Sequence, residues 1–330
     1  MTGSTTSLPV LSVIIPMFNE ETVLPVLFER LTRVLDDIGE SYEILCVDDG
    51  SSDATGSMLA EAHAKDPRIR VLTLSRNFGK EIALTAGLDH ANGQAVLPLD
   101  ADLQDPPELI SQFLAHWREG YDVVYGVRRE RTSDSWLKRI TANLFYKTLG
   151  RMAGLEIPAN AGDFRLMDRR VVDSLDRLRE RNRFMKGLFA WIGFRQIAVE
   201  YDRPARAAGK TKYNYWRLWN LALDGITGFS TVPLRSAGYV GFLTAIFAIF
   251  YGIFLIIRTL IYGVDVPGYA SLMAVVLLLG GVQLMVLGII GEYLGRVFKE
   301  TKHRPLYILD STLGISKDQS GQGARASEQT

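Results

Sequence analysis

Two stretches of this chain leave little choice about their surroundings. From Ser236 to Ile257, and again from Pro267 to Gly291, no residue is charged over 22 and 25 positions. About 20 apolar residues in a helix span a bilayer core, so both runs are long enough to cross a membrane. A pair of buried core helices is the alternative, and length together with the absence of charge weighs against it. The link RTLIYGVDV is short, which predicts an antiparallel hairpin with spans at 235–258 and 266–291. Arg203, Arg206, Lys210, Lys212, Arg217 and Arg235 precede the first span, and Arg296, Lys299, Lys302 and Arg304 follow the second, whereas the link holds only Arg258 with Asp265 beside it. The positive-inside rule then puts both flanks in the cytoplasm and the hairpin tip outside, in a multi-pass protein of the plasma (inner) membrane.

The rest of the chain is composed differently. Its 330 residues allow about two domains. The 37 basic residues balance 37 acidic ones, so no global basic field argues for nucleic acid. The single cysteine, Cys46, lies in the apolar run EILCV and reads as a small core residue, which leaves no disulfide within the chain and no cysteine-based metal site. MTGSTTSLPV lacks the basic start and apolar core of a secretory signal, so 1–8 is expected to be a disordered leader. The small polar residues from Ser316 onward predict a disordered tail, 316–330.

Between these ends, apolar runs of strand length alternate with segments of helical spacing. LSVIIPMFNE reads as a buried strand broken by Pro16, and Glu20–Asp37 as an amphipathic helix. YEILCVDD, Ile69–Leu74, Ala95–Leu99 and YDVVYGVR read as strands, with helices at Ala54–Ala64, Lys80–Ala91 and Glu108–Arg118. Further on, Ser135–Ala153 and ERNRFMKGLFAWIGF read as helices, GDFRLMDR as a short strand or turn. The alternation predicts an α/β domain over 9–212 with a doubly wound, mostly parallel sheet. Tyr213–Phe229, rich in tyrosine and tryptophan, reads as part of an interfacial amphipathic segment (213–234), although aromatic faces also occur in cores. A cytoplasmic segment, 292–315, contains the strand-like RPLYILD, which could pair with the sheet of a neighbouring subunit in a homo-oligomer.

Ligands of doubly wound sheets bind at the carboxyl ends of strands, where PMFNE, VDDGSSD and DADLQD fall. Asp48 and Asp49 can accept hydrogen bonds from a nucleobase or ribose, while Asp53 reads as the cap of the following helix. Asp100 and Asp102 would lie on one side of an extended segment, where both could hold a hard cation, Mg2+ or Mn2+, that bridges to a diphosphate. A solvated acidic loop is the alternative. Downstream, Arg128, Lys138, Arg139, Arg165, Arg206, Lys210 and Lys212 supply groups suited to phosphate oxygens, or a basic segment attracted to lipid.

The ordered set P-x-F-N-E, VDDGSSD, SRNFGKE, DADLQDPPE, GDFRLMDR and RxxGKTKY resembles the polyprenyl-phosphate glycosyltransferases of the GT-A fold, over about residues 9–312. RNFGKE and DFRLMDR are nearer the branch that glucosylates bactoprenol (undecaprenyl phosphate) than the branch that transfers aminoarabinose. The resemblance implies that Pro16, Asn19, Glu20, Asp48, Asp49, Asn77, Lys80 and Asp100, with Arg206 and Lys210 on the phosphates, hold a UDP-sugar. It implies metal and diphosphate contacts for Asp100, Asp102 and Gln104, and acceptor-phosphate contacts for Arg128, Lys138 and Arg139. It places Asp163, with Asp102 and Arg165, at the reaction centre, although Asp163 and Arg165 could also be a structural ion pair in a turn.

The activity so implied is a single inverting displacement in which undecaprenyl phosphate attacks the anomeric carbon, most simply of glucose. Another sugar, GDP-mannose with dolichyl phosphate, a processive polysaccharide synthase and a non-catalytic nucleotide binder are the competing readings. One hairpin provides no multi-helix channel, and no QxxRW-like motif is present, which argues against the synthase.

Overall fold

A computed structural model of the protein describes residues 8–129, 161–181, 183, 185–202, 227–228, 230–263 and 268–315. The chain divides into two units, one of Met1–Asn220 with His303–Thr330 and one of Leu221–Lys302. The expected helix Ser135–Ala153 and the aromatic segment Tyr213–Phe229 lie outside the described residues, apart from 227–228 in the latter.

The first unit is built on apolar runs that are buried on both faces. β1 (Leu11–Met17) and β2 (Tyr42–Asp48) are buried throughout, except for half-buried Pro16, which is the pattern of strands with helices on either side. β3 (Ile69–Leu74) and β4 (Ala95–Pro98) extend this parallel core. Around it lie α1 (Leu24–Ile38), α2 (Thr55–Lys65), α3 (Lys80–His90) and α4 (Ile110–Arg118), the last entered through a short 3-10 turn at Pro107–Leu109. In α1 the apolar positions Leu24, Leu27, Leu31 and Leu35 recur at helical spacing and are all buried. Proline at its first turn costs no hydrogen bond, because the N–H groups there have no partner within the helix.

Pro16 does not break the first strand. β1 continues in register with β2 through Pro16↔Val47 and Met17↔Asp48. The Leu99 N–H donates to the Ile14 carbonyl, so residue 14, and residue 16 after it, face β4. The β1–β4 ladder ends at Ile14↔Pro98, so the N–H that Pro16 lacks would have had no rung to form.

The chain then adds β5 (Val123–Arg128), β6 (Ala161–Asp168), α5 (Arg169–Asp176), α6 (Met185–Trp191) and β7 (Gln196–Tyr201). Of the long basic, aromatic helix expected at ERNRFMKGLFAWIGF, only the seven residues of α6 are helical among those described. GDFRLMDR forms most of a full strand, and that strand, β6, runs antiparallel to both β4 and β5. A last strand, β8 (Leu309–Leu313), pairs antiparallel with β3, giving eight strands in the order β7-β5-β6-β4-β1-β2-β3-β8. The strand expected at RPLYILD thus begins later than its motif, and it completes this chain's own sheet.

The second unit is a hairpin of α7 (Val232–Tyr262) and α8 (Tyr269–Thr301), longer at both ends than the apolar runs alone. At about 1.5 Å per residue, 31 and 33 residues exceed a bilayer core of about 30 Å. Phe247 is 71% exposed and Leu260 81%, and both helices present apolar side chains along their length, an arrangement suited to lipid. The Tyr293 hydroxyl donates to the Ser230 carbonyl at 2.6 Å, tying the end of α8 to the residues that lead into α7.

On one face of the sheet, Phe113 of α4 and Phe164 of β6 are fully buried, with ring centroids 4.9 Å apart. Phe113→Ala should lower unfolding free energy by about 3–5 kcal/mol through the cavity it leaves, measurable as a fall in denaturation midpoint.

Candidate active site

Strand polarity gathers the polar clusters at one edge. β1, β2, β3 and β4 are parallel, and β5 and β7 run the same way because β6 is antiparallel to both β4 and β5. The carboxyl ends of these strands therefore share one edge with the amino end of β6. That edge carries Asn19 and Glu20 after β1, Asp48 and Asp49 at β2, Asn77 and Lys80 after β3, and Asp100 to Asp105 after β4. It also carries Arg128 at the end of β5, Asp163 at the start of β6 and Tyr201 at the end of β7.

The loops after β1 and β2 are stitched together. Asn19, at φ 56, accepts through Oδ1 from the Ser52 N–H at 2.8 Å, and its own N–H donates to Ser51 Oγ at 3.0 Å. The Glu20 N–H donates to Thr55 Oγ1 at 2.9 Å. Asp53 accepts from the Thr55 N–H at 3.0 Å and from the Glu21 N–H at 3.3 Å, an Asx turn just ahead of α2, whose N-cap is Ala54 rather than Asp53 as expected. Asp48 accepts from the Ser51 N–H at 2.9 Å. Between these acids and the next loop, Gly50 has φ 70, and a Cβ there would lie 2.6 Å from the Arg76 carbonyl carbon. Only glycine allows that approach.

Asp49 has an internal task. Its carboxylate accepts from the N–H groups of Phe78 at 2.7 Å and Gly79 at 2.8 Å, which fixes the loop leading into α3. Burial pushes its pKa up, against the lowering effect of those two hydrogen bonds. Exposed Asn77 lies in the same loop. The loop delivers Lys80, the first residue of α3, to the centre of the edge.

There the Lys80 ammonium joins two carboxylates, Asp100 at 2.6 Å and Asp163 at 2.8 Å. Asp100 follows the end of β4 and Asp163 lies near the start of β6, the strand that pairs with it. Two acids so placed repel each other, and a cation between them relieves the repulsion. Burial opposes ionisation of Asp163, but Lys80, with help from Lys186 and Arg165, holds its pKa at about 2. Burial raises Asp100 above its ordinary range, opposed by Lys80 and reinforced by Asp163. Lys80 is disfavoured as a cation by burial, yet Asp100 and then Asp163 push its pKa up.

Asp100 and Asp102 do not lie on an extended segment as expected. β4 stops at Pro98 and the chain turns, with buried Leu103 at φ 56, a conformation that costs a residue with a Cβ about 1–3 kcal/mol. Asp102 accepts from the Gln104 N–H at 3.2 Å, and the buried Gln104 Oε1 has no hydrogen-bond partner among the described residues. No cluster of three His, Cys, Asp or Glu side chains that could hold a metal occurs among the described residues.

Three residues of this edge were not singled out in the sequence. Asp105, 2% exposed, accepts from the Tyr201 hydroxyl and lies 3.5 Å from Arg128 Nη2, while Arg128 Nε donates to the Tyr201 oxygen at 3.1 Å. Burial, then the Asp105 charge, push the Tyr201 pKa up, so the phenol remains a donor. Glu81 follows Lys80 and accepts from the Met185 N–H, and its buried Oε2 has no partner among the described residues. Its presence in SRNFGKE was the available signal. Arg165 is buried, donates to the Gly162 carbonyl at 2.8 Å and stacks 3.8 Å over the Phe189 ring; burial pulls its pKa down to about 10. Lys138, Arg139, Arg206, Lys210 and Lys212 lie outside the described residues.

Burial, and next the Asp163 charge, raise Glu81 to about 7 from an ordinary 4.5. The folded state therefore holds this proton more tightly than the unfolded chain, and Glu81 costs stability as pH rises from about 4.5 through 7. Glu81→Gln should raise the melting temperature at pH 8, with a difference that shrinks below pH 5; thermal unfolding at both pH values measures it.

Residues 12–176 match the family described as Glycosyl transferase family 2, and residues 232–297 match the GtrB C-terminal hairpin. An uncharacterized glycosyltransferase of Synechocystis sp. is 56% identical over 305 residues, which cover 92% of this chain and 96% of the relative. The bactoprenol glucosyl transferase of Shigella phage SfV is 48% identical, covering 91% and 97%, and the prophage bactoprenol glucosyl transferase homolog of Escherichia coli is 46% identical, covering 91% and 98%. With an acid-rich edge on an α/β sheet, a long apolar hairpin and this extent of likeness, the chain belongs to glycosyltransferase family 2, among the members that carry the GtrB C-terminal hairpin.

Proposed function

We propose that this protein is a membrane-bound inverting glycosyltransferase that moves glucose from UDP-glucose to undecaprenyl phosphate. The observation that carries the reading is the likeness, at 46–48% identity over about nine tenths of the chain, to bactoprenol glucosyl transferases. The geometry supports it. A soluble donor and an acceptor confined to a bilayer require a catalytic edge attached to a membrane, and the chain combines such an edge with a lipid-suited hairpin.

In this reading the loops after β1 and β2 bind the nucleotide through Pro16, Asn19, Glu20 and Asp48. Asp49 holds the loop of Asn77 and Lys80, and Arg206 and Lys210 reach the phosphates. Asp100, Asp102 and Gln104 fit a hard divalent cation, Mg2+ or Mn2+. All three offer oxygen, and the buried Gln104 side-chain carbonyl makes no hydrogen bond among the described residues. Such an ion, when bound, would neutralise the charge of a departing diphosphate. Arg128, with Lys138 and Arg139, meets the acceptor phosphate.

One acceptor phosphate oxygen forms a bond to the anomeric carbon as the bond from that carbon to the diphosphate oxygen breaks, its electron pair leaving with the nucleoside diphosphate. The acceptor already carries about −1.5 to −2 charges near neutral pH, with a second pKa of about 6. Burial opposes ionisation of Asp163, but Lys80 holds its pKa below the ordinary carboxylate value, which makes it a poor base for that proton. It acts as a fixed negative charge that holds Lys80 beside Asp100, leaving catalysis mainly to in-line placement and electrostatic preorganisation.

Both flanks of the hairpin are assigned to the cytoplasm of a plasma membrane. Flanking basic charge favours this, and so does the pairing of β8 with β3, which brings chain from before α7 and after α8 into one sheet.

Membranes containing the protein should convert radiolabelled UDP-glucose, undecaprenyl phosphate and Mn2+ to a lipid-linked product, lost on chelation; no product from any of a panel of nucleotide sugars would overturn the reading. Asp102→Ala should reduce turnover by at least about a hundredfold while remaining in the membrane fraction, and full activity in that variant would remove the metal assignment.

A further inference from the structure

Asp105, Tyr201 and Arg128 come from three separate segments, and the reaction as described above uses only the arginine. Tyr201 reaches across from β7 because Gly126 of β5 leaves room; a Cβ at position 126 would lie 2.8 Å from the Tyr201 ring. Its hydroxyl donates to Asp105 and accepts from Arg128 Nε, and Arg128 Nη2 points at the same Asp105 oxygen. The Asp105 side chain is 2% exposed and that of Arg128 is 22% exposed. A carboxylate so buried must be matched by donors. The phenol and the guanidinium are both present.

Two consequences follow from this arrangement. Arg128 is held through Nε and Nη2, so its side chain has lost its rotamer freedom before any ligand arrives, while the exposed part of the fork remains able to meet an anion. The anchor, Asp105, adjoins Gln104 and belongs to the same turn as Asp100 and Asp102. An arginine on β5 and the acidic turn after β4 are thereby fixed to each other.

Resting on the glycosyltransferase reading above, we propose that Asp105 and Tyr201 are positioning residues that lock Arg128 to the acidic turn, setting where the acceptor's phosphate monoester stands relative to the donor diphosphate. Their contribution is to acceptor engagement. Removing the phenol leaves the donor loops after β1, β2 and β3 untouched and frees the Arg128 fork to wander.

The test is a steady-state comparison in detergent-solubilised full-length protein. Tyr201→Phe, which keeps the ring over Gly126, and Asp105→Asn should each raise the acceptor KM about tenfold, the size of one charge-assisted hydrogen bond. In Tyr201→Phe the KM for UDP-glucose should stay within about twofold of wild type, since the hydroxyl it removes bonds to Asp105 and Arg128, neither of them assigned to the donor. On an Arg128→Gln background, adding Tyr201→Phe should move the acceptor KM by less than about twofold, because the two changes act on one contact. In parallel, direct binding of a short-chain polyprenyl phosphate, followed by intrinsic fluorescence, should weaken about tenfold in Tyr201→Phe. The inference is overturned by an unchanged acceptor KM, by full additivity with Arg128→Gln, or by equal rises in both KM values with a lowered melting temperature. Should wild type bind the phosphate ligand yet transfer no sugar, the binding arm alone decides the positioning role and the glycosyltransferase reading fails separately. Wild type that binds no phosphate ligand overturns the inference as well.

Discussion

The contact on which the active edge depends is the Lys80 ammonium between Asp100 and Asp163. The chain leaving β4 and the start of the adjacent β6 bring two carboxylates to one ammonium, a placement that repels unless a positive charge intervenes. Lys80 reaches that position only because α3 begins where it does, and α3 begins there because Asp49 grips the two N–H groups ahead of it. One acid at the end of β2 thus governs the balance of charge between two strands on its far side. Burial works on all three groups, and against it Lys80 favours the charged form of both carboxylates while they favour its own.

Such a unit is poor material for stability. Burying charge costs several kcal/mol per ion, and pairing returns that cost only when geometry is good and the remaining lone pairs are satisfied. Here they are not all satisfied: among the described residues Asp163 Oδ1 is buried without a partner, as are Oε2 of Glu81 and Oε1 of Gln104 outside the unit. The fold is stabilised elsewhere, by the aliphatic strands β1 to β4 and the apolar faces of α1 and α4. Leu103, strained and buried beside the acids, belongs to the same pattern of local cost tolerated for arrangement.

How much of this could be read in the sequence depended on distance along the chain. The α/β order and the hairpin show in local periodicity and lie where they were expected, whereas DADLQD, legible as an acidic cluster after β4, turns rather than continuing extended. Pro16 misled, because proline is a strand breaker only where its N–H is needed, and the end of the β4 ladder is a tertiary fact. Arg165 carries the right chemistry for phosphate but is spent on a carbonyl and an aromatic ring, which its neighbours in sequence do not reveal. Asp105 and Tyr201 stand 96 positions apart, and nothing local marks them as partners. The same holds for β8, whose partner lies at the far edge of the parallel core.

That last strand changes how the hairpin should be regarded. Because β8 closes the sheet against β3, the two long helices are an insertion within the globular unit rather than an appendage to it. The sheet cannot be finished until the chain has gone out along α7 and come back along α8. Without β8, β3 would be an open edge available for faulty pairing, so residues that follow the hairpin protect a strand laid down in the first quarter of the sequence.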